Sequence, residues 1–217
     1  MQLSEALELT LRERNLLLLA AGFAPLYSQE QLDAPQFELV RAAIRRILTA
    51  HEPYPALVMD RHYDIVDANK SSAIFTTGCA PHLLKPPVNV LRLTLHPEGL
   101  AKRFINLSQW RAHLLGRLRR EVESSGDPQL AALYAELNGY PIAELVPEVS
   151  QPSAADICMP MRILVGASEL SFYSTIATFG TPLDVTIAEL SIESFFPADA
   201  PTAAALTQHP KTQLQTT

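Results

Sequence analysis

Apolar residues recur at helical spacing early in the chain: Phe37, Val40, Ile44, Ile47 and Leu48 share one face while Arg41, Arg45 and Arg46 point elsewhere. Ahead of them, Thr10 with Glu13 forms a capping box that predicts a helix through Leu16 to Leu19, stopped by Gly22. Asp33 with Gln36 reads as a second cap, with Pro35 in the first turn. Residues Leu3 to Leu9 read as the end of another helix, and Pro53 and Pro55 close this helical segment.

The pattern then changes period. Ala56 to Met59 and Asp64 to Ala68 are short apolar runs around a polar turn, which predicts a hairpin, and Asn69 is placed to cap a short helix through Phe75. Gly78, Pro81, Pro86 and Pro87 make residues 78–88 a loop. Helices are expected at Asn89 to Leu95, after Pro97 to about Ile105, and along the stripe Leu107, Trp110, Leu114, Leu118 and Val122, with Arg111, Arg117, Arg119 and Arg120 on the other faces. Gly126 ends that helix, and Asp127 with Pro128 starts one that runs to Gly139.

Strict alternation returns at Ile157, Met159, Met161, Ile163 and Val165, where Pro160 implies a sheet edge or a bulge. Leu170 to Phe179 predicts another strand. Val185 to Phe195 predicts a third whose apolar phase slips, as a β-bulge would make it do. Beyond Pro197 the chain has little to bury, and residues 197–217 are expected to form a tail that is disordered after about Leu206. The expected fold is α+β: a PAS-like five-stranded antiparallel sheet over residues 51–196 with helices folded over one face, preceded by a helical linker over residues 1–50.

Composition narrows the function. The 8 glycines are scattered, so no loop can bring clustered backbone N–H groups onto a phosphate. The net charge of −6 disfavours a free-standing nucleic-acid binder. The 6 histidines show no zinc spacing, so neither metal nor cofactor is expected. Cys79 and Cys158 read as core fillers in a reducing cytoplasm, and the longest apolar run, Leu16 to Gly22, is too short for a bilayer. Ser71, Ser72, Asp67 and His96 offer the parts of a hydrolase triad, but there is no G-x-S-x-G turn, and an enzyme is not expected.

Three blocks carry a resemblance: LTLRERNLLLLAAGFAPLY (Leu9 to Tyr27), HEPYPALVMDRHYDIVDAN (His51 to Asn69) and NVLRLTLHPEGLAKRFINLSQWRAHLLGRLRRE (Asn89 to Glu121). Together they resemble the MmyB-like transcriptional regulators, in which an XRE-type helix-turn-helix domain precedes a PAS-like ligand-binding domain. The likeness runs from about residue 3 to about residue 195. Only what looks like the last helix of the helix-turn-helix is present, Leu3 to Leu9, so the resemblance implies DNA as a partner of the parent protein only. Met1 is then either a native start or a truncation point.

The resemblance implies a small apolar ligand, a fatty acid first among candidates. Leu91, Leu93, Leu95, Phe104, Trp110 and Leu114 facing Phe172 and Ile176 can enclose an apolar tube, and the same stripes also make an ordinary core. Arg92, His96 and Arg111 are candidate donors to a carboxylate head. The alternative is a dimerisation module without a ligand. The basic stretch Lys102 to Arg120 reads as a solvated helix face or as a surface for DNA phosphates.

Overall fold

The computed structural model describes residues 7, 9–141 and 159–208. Most of the anticipated helix at Leu3 to Leu9, the residue Cys158 and the start of the alternating strand at Ile157 lie outside the described residues.

Helix α1 (Leu11–Ala20) begins at the capping box, with the Thr10 hydroxyl accepting from Glu13 N and the Glu13 carboxylate accepting from Thr10 N at 2.8 Å. The second cap is different from expectation. Asp33 does not close a box with Gln36. Instead a 3-10 turn, Pro35–Phe37, leads into α2 (Glu38–Ala50), and the Arg41 guanidinium secures the entry by donating to Leu32 O and Ala34 O.

Five strands follow: β1 (Ala56–Met59), β2 (Ile65–Ala68), β3 (Met161–Val165), β4 (Ser168–Thr178) and β5 (Ser191–Pro197). They form one antiparallel sheet in the order β2-β1-β5-β4-β3, so the strand that follows Pro160 is an edge, one of the two placements the proline implied. Between β2 and β3 lie the short helices α3 (Ala73–Thr76) and α4 (Val90–Leu95), the long α5 (Leu107–Ser125) and α6 (Pro128–Asn138). Asn69 caps the turn before α3, as its position predicts.

Three expectations are corrected. Helices cover both faces of the sheet, not one. Along β1, Leu57 and Met59 join a core with α4, α5 and α6, while Ala56 and Val58 meet Ile44 and Leu48 of α2 on the other side, so every β1 residue is buried. The phase slip in Val185 to Phe195 is not a bulge: residues Val185–Ala188 form a helical turn, α7, capped by the Asp184 carboxylate accepting from Thr186 N at 2.8 Å, and the strand starts only at Ser191. The composition after Pro197 also misled. Asp199 accepts from Thr202 N at 2.7 Å and starts α8 (Ala200–Gln208), with Thr202 and Leu206 buried and the Thr202 hydroxyl accepting from Ser171 N. An Asp three residues before a Thr, with Pro201 in the first turn, was the signal to read. Residues 209–217 lie outside the described residues.

At the far end of α5, Gly126 adopts φ +63°, a left-handed stop, and Asp127 opens α6. Asp127 is buried, accepts from Gln129 N at 2.8 Å, and meets Arg61 at 2.9 Å and His62 at 3.2 Å. Burial works against its charge, but the Gln129 amide, His62 and Arg61 outweigh burial and hold the carboxyl below its usual range. A group with a depressed folded pKa contributes stability above the unfolded value of about 4, lost as pH falls through the folded pKa. Asp127→Ala is therefore expected to lose about 1–2 kcal/mol at neutral pH. In urea melts that gap should close as the pH drops below about 4.

Candidate functional site

A partly open cavity of ≈ 390 Å³ lies between the sheet and the helices on the α4 side. Leu57 and Phe195 form its floor, and Phe75, Leu93 and Leu100 its walls. The loop that leads into α4 lays Leu84, Pro86 and Val88 along its lip. That volume lies within the range of small-molecule sites. Gly99 lets the chain before Leu100 pack closely on α4: a Cβ there would stand 2.3 Å from Leu93 O.

The polar residues of the lining, Asn69, Ser72, Thr76 and Thr94, change little, because the first two are already occupied. The Asn69 amide accepts from Ala56 N and donates to Tyr54 O at 2.7 Å, and the Ser72 hydroxyl exchanges hydrogen bonds with the Ala56 backbone. Among the described residues, no charged side chain lines the cavity. What it offers a ligand is apolar contact, worth roughly 25 cal/mol for each Å² removed from water.

Behind it lies a recess of ≈ 30 Å³, and Val90, Thr94 and Phe195 belong to the linings of both. The recess is chemically unlike the cavity, with Tyr63, Arg117 and Glu193 in its wall. Tyr63 takes a left-handed backbone, φ +67°, unusual for an aromatic residue, and its ring lies under the Arg117 guanidinium at 5.2 Å. Arg117 Nε donates to the Tyr63 hydroxyl at 3.3 Å, and that hydroxyl donates to Glu121 at 2.7 Å. Burial pushes the Tyr63 hydroxyl up, and it pushes the Glu193 carboxyl up as well against the opposing pull of Ser174 and Arg117.

Residues 40–208 match the family model of the MmyB-like transcription regulator ligand binding domain. The chain belongs to this family. No curated protein matches the sequence.

Within this MmyB-like domain the ten residues expected to line a pocket are divided. Leu91, Trp110 and Leu114 face the recess. Leu95, Phe104 and Phe172 are core, with Phe104 stacked on Trp110 at 6.4 Å. Ile176 stays 44% exposed. None of the ten lines the larger cavity, but Leu93, expected with them to enclose an apolar tube, does. The carboxylate donors are committed elsewhere: Arg92 makes a bidentate pair with Glu136, Arg111 is buried and donates to Asn138 O, and His96 Nδ1 accepts from Glu98 N.

Why the stripes did not single out the larger cavity is visible in α4. Four of its six residues are buried, because one side faces the core through Leu91 and Leu95 and the other faces the cavity through Val90, Leu93 and Thr94. A helix apolar all round carries no mark of which side is empty. Arg117, in contrast, was legible: it stands seven residues after Trp110 and three after Leu114, on their face of α5 and not on the opposite one.

Other sequence features resolve into intramolecular contacts. Much of the basic stretch is tied down, with Arg103 donating to Ile74 O, Arg111 to Asn138 O, and Arg119 paired with Glu123. Neither Ser71, held by Glu52, nor Ser72 bonds to an imidazole among the described residues. His82, His96 and Glu98 bring their ligating atoms within 4.8 Å of one another, a cluster formed by the loop folding back on the end of α4. Within this cluster the His96 Nδ1 already accepts from Glu98 N. Burial raises the Cys79 thiol. No helix among the described residues is long and apolar enough to cross a membrane.

Proposed function

We propose that this chain is the sensing half of a regulator with an XRE-type helix-turn-helix domain. A small, mostly apolar molecule of the fatty-acid kind occupies the larger cavity and thereby alters DNA binding by the parent protein. The observation that carries this is a partly open ≈ 390 Å³ cavity with apolar walls and, among the described residues, no charged side chain in its lining. A ligand can shift a conformational equilibrium only by binding one arrangement better than another. Residues 10–50 are the lever for that shift. Helix α2 lies on the opposite face of the same sheet, and Arg12 of α1 meets Glu189, just before β5, at 2.6 Å.

A second reading, that the domain also dimerises, is favoured by α1. No residue of that helix is buried, and Leu16, Leu19, Phe23 and Leu26 in and after it are more than half exposed. An apolar surface of this kind suits a second copy of the chain.

Native mass spectrometry of the purified chain, followed by organic extraction, reads both. The expected spectrum shows a retained small molecule released by extraction, and a dimer series at micromolar protein. An empty chain whose melting temperature is unmoved by any lipid or apolar molecule removes the sensor reading, and a monomer removes the second.

A further inference from the structure

The apolar cavity has no means of recognising a polar head, but the recess behind it does. Arg117 uses Nε on Tyr63, and its two terminal nitrogens have no hydrogen-bond partner among the described residues. Opposite, Glu193 sits on β5 between Leu57 of β1 and Ile176 of β4, and faces the helices like Phe195 two residues on. Arg117 attracts Glu193 across the recess, yet the two close no ion pair. A guanidinium and a carboxyl held apart around ≈ 30 Å³ leave room for roughly one small polar group between them. The strained Tyr63 backbone is part of this arrangement, since it places the ring that orients the guanidinium.

We propose that this recess is the head-group site for a ligand with a single terminal carboxylate. The head is held between Arg117 and Glu193, with the chain of the ligand passing Val90, Thr94 and Phe195 into the larger cavity. This rests on the cavity being the ligand site. The carboxylate accepts from the free terminal nitrogens of Arg117, the charge-assisted geometry that guanidinium groups provide. Glu193 completes the site in its protonated form, donating to the second oxygen. The groups that face it are the Ser174 hydroxyl from β4 and Arg117 from α5, with Tyr63 and Glu121 reached through Arg117. Burial already favours the protonated carboxyl. Binding of an anion favours it further, so binding takes up a proton.

The test measures decanoate and 1-decanol, matched in chain length, by calorimetry on the full chain and on Arg117→Met, Glu193→Gln and Arg92→Met. Wild type should bind decanoate more tightly at about pH 6 than at about pH 8, with 1-decanol insensitive to pH. Arg117→Met should weaken decanoate about tenfold or more and change 1-decanol by less than about threefold. Glu193→Gln, which fixes a neutral donor, should keep decanoate binding and lose its pH dependence. Arg92→Met, outside the recess, should match wild type. Equal binding of the two probes with no effect of Arg117→Met overturns the head-group site and leaves the cavity as the ligand site. Binding of neither probe by wild type overturns both.

Discussion

Thr94→Phe is expected to empty the domain of ligand without unfolding it. Thr94 is 9% exposed, and its side chain belongs to the linings of both the cavity and the recess, so a phenyl ring there fills the junction between them. Bulk added to a packed core forces side chains out of their rotamers at a cost of about 1–3 kcal/mol, but here the added atoms enter existing space. Cavity filling of this kind commonly adds about 0.5–2 kcal/mol of stability. The helix that carries Thr94 is also well anchored. Asn89 caps it by accepting from Leu91 N and Arg92 N, and is itself held by donating to His62 O and Asp64 at 2.8 Å. The expected result is a melting temperature equal to or above that of wild type, with affinity for the retained molecule lowered at least about tenfold. Thr94→Val, which preserves volume, should keep the ligand. A Thr94→Phe protein that still carries its small molecule would place the ligand elsewhere.

Phe172→Ala should do the reverse, removing stability and sparing ligand chemistry. Phe172 is fully buried, with its ring edge-on to Phe75 at 5.9 Å and to Phe195 at 6.4 Å. Deleting a buried phenylalanine side chain costs about 3–5 kcal/mol, through lost transfer energy and the cavity left behind. Against a total stability of about 5–15 kcal/mol that is a large share, and it lowers the melting temperature by roughly 6–20 °C for a chain of this size. Ile176 lies two pleats along the same face of β4 but is 44% exposed, so Ile176→Ala should stay within about 0.5 kcal/mol of wild type. Urea melts of the two variants side by side check the assignment, and a Phe172→Ala protein as stable as wild type would show that this ring is not core.

These contrasting expectations separate what periodicity reveals from what it hides. Phe172 and Leu95 were expected in a pocket wall because they lie on apolar stripes, and both are core. Leu84, Pro86 and Val88 line the cavity from a loop whose prolines predicted only irregular chain. Glu193 was hidden by the misread phase of the last strand. Once α7 is recognised, Glu193 and Phe195 fall on one face, and a charge among inward positions becomes visible.

The local chemistry of the sequence determined where most elements start and stop. The Thr10 box, the Asn69, Asn89 and Asp127 caps, the Gly126 stop and the alternation in β3 each act within a few residues, so they are legible one at a time. Two of the three resembling blocks, His51 to Asn69 and Asn89 to Glu121, lie within the match that shows the family. Only the tertiary structure decided which apolar surfaces meet and which stay apart. A cavity is the space left when the sheet and two layers of helices pack, and it has no period of its own. Arg117 of α5 and Glu193 of β5, 76 positions apart in the chain, line one recess, a long-range juxtaposition that no local pattern encodes.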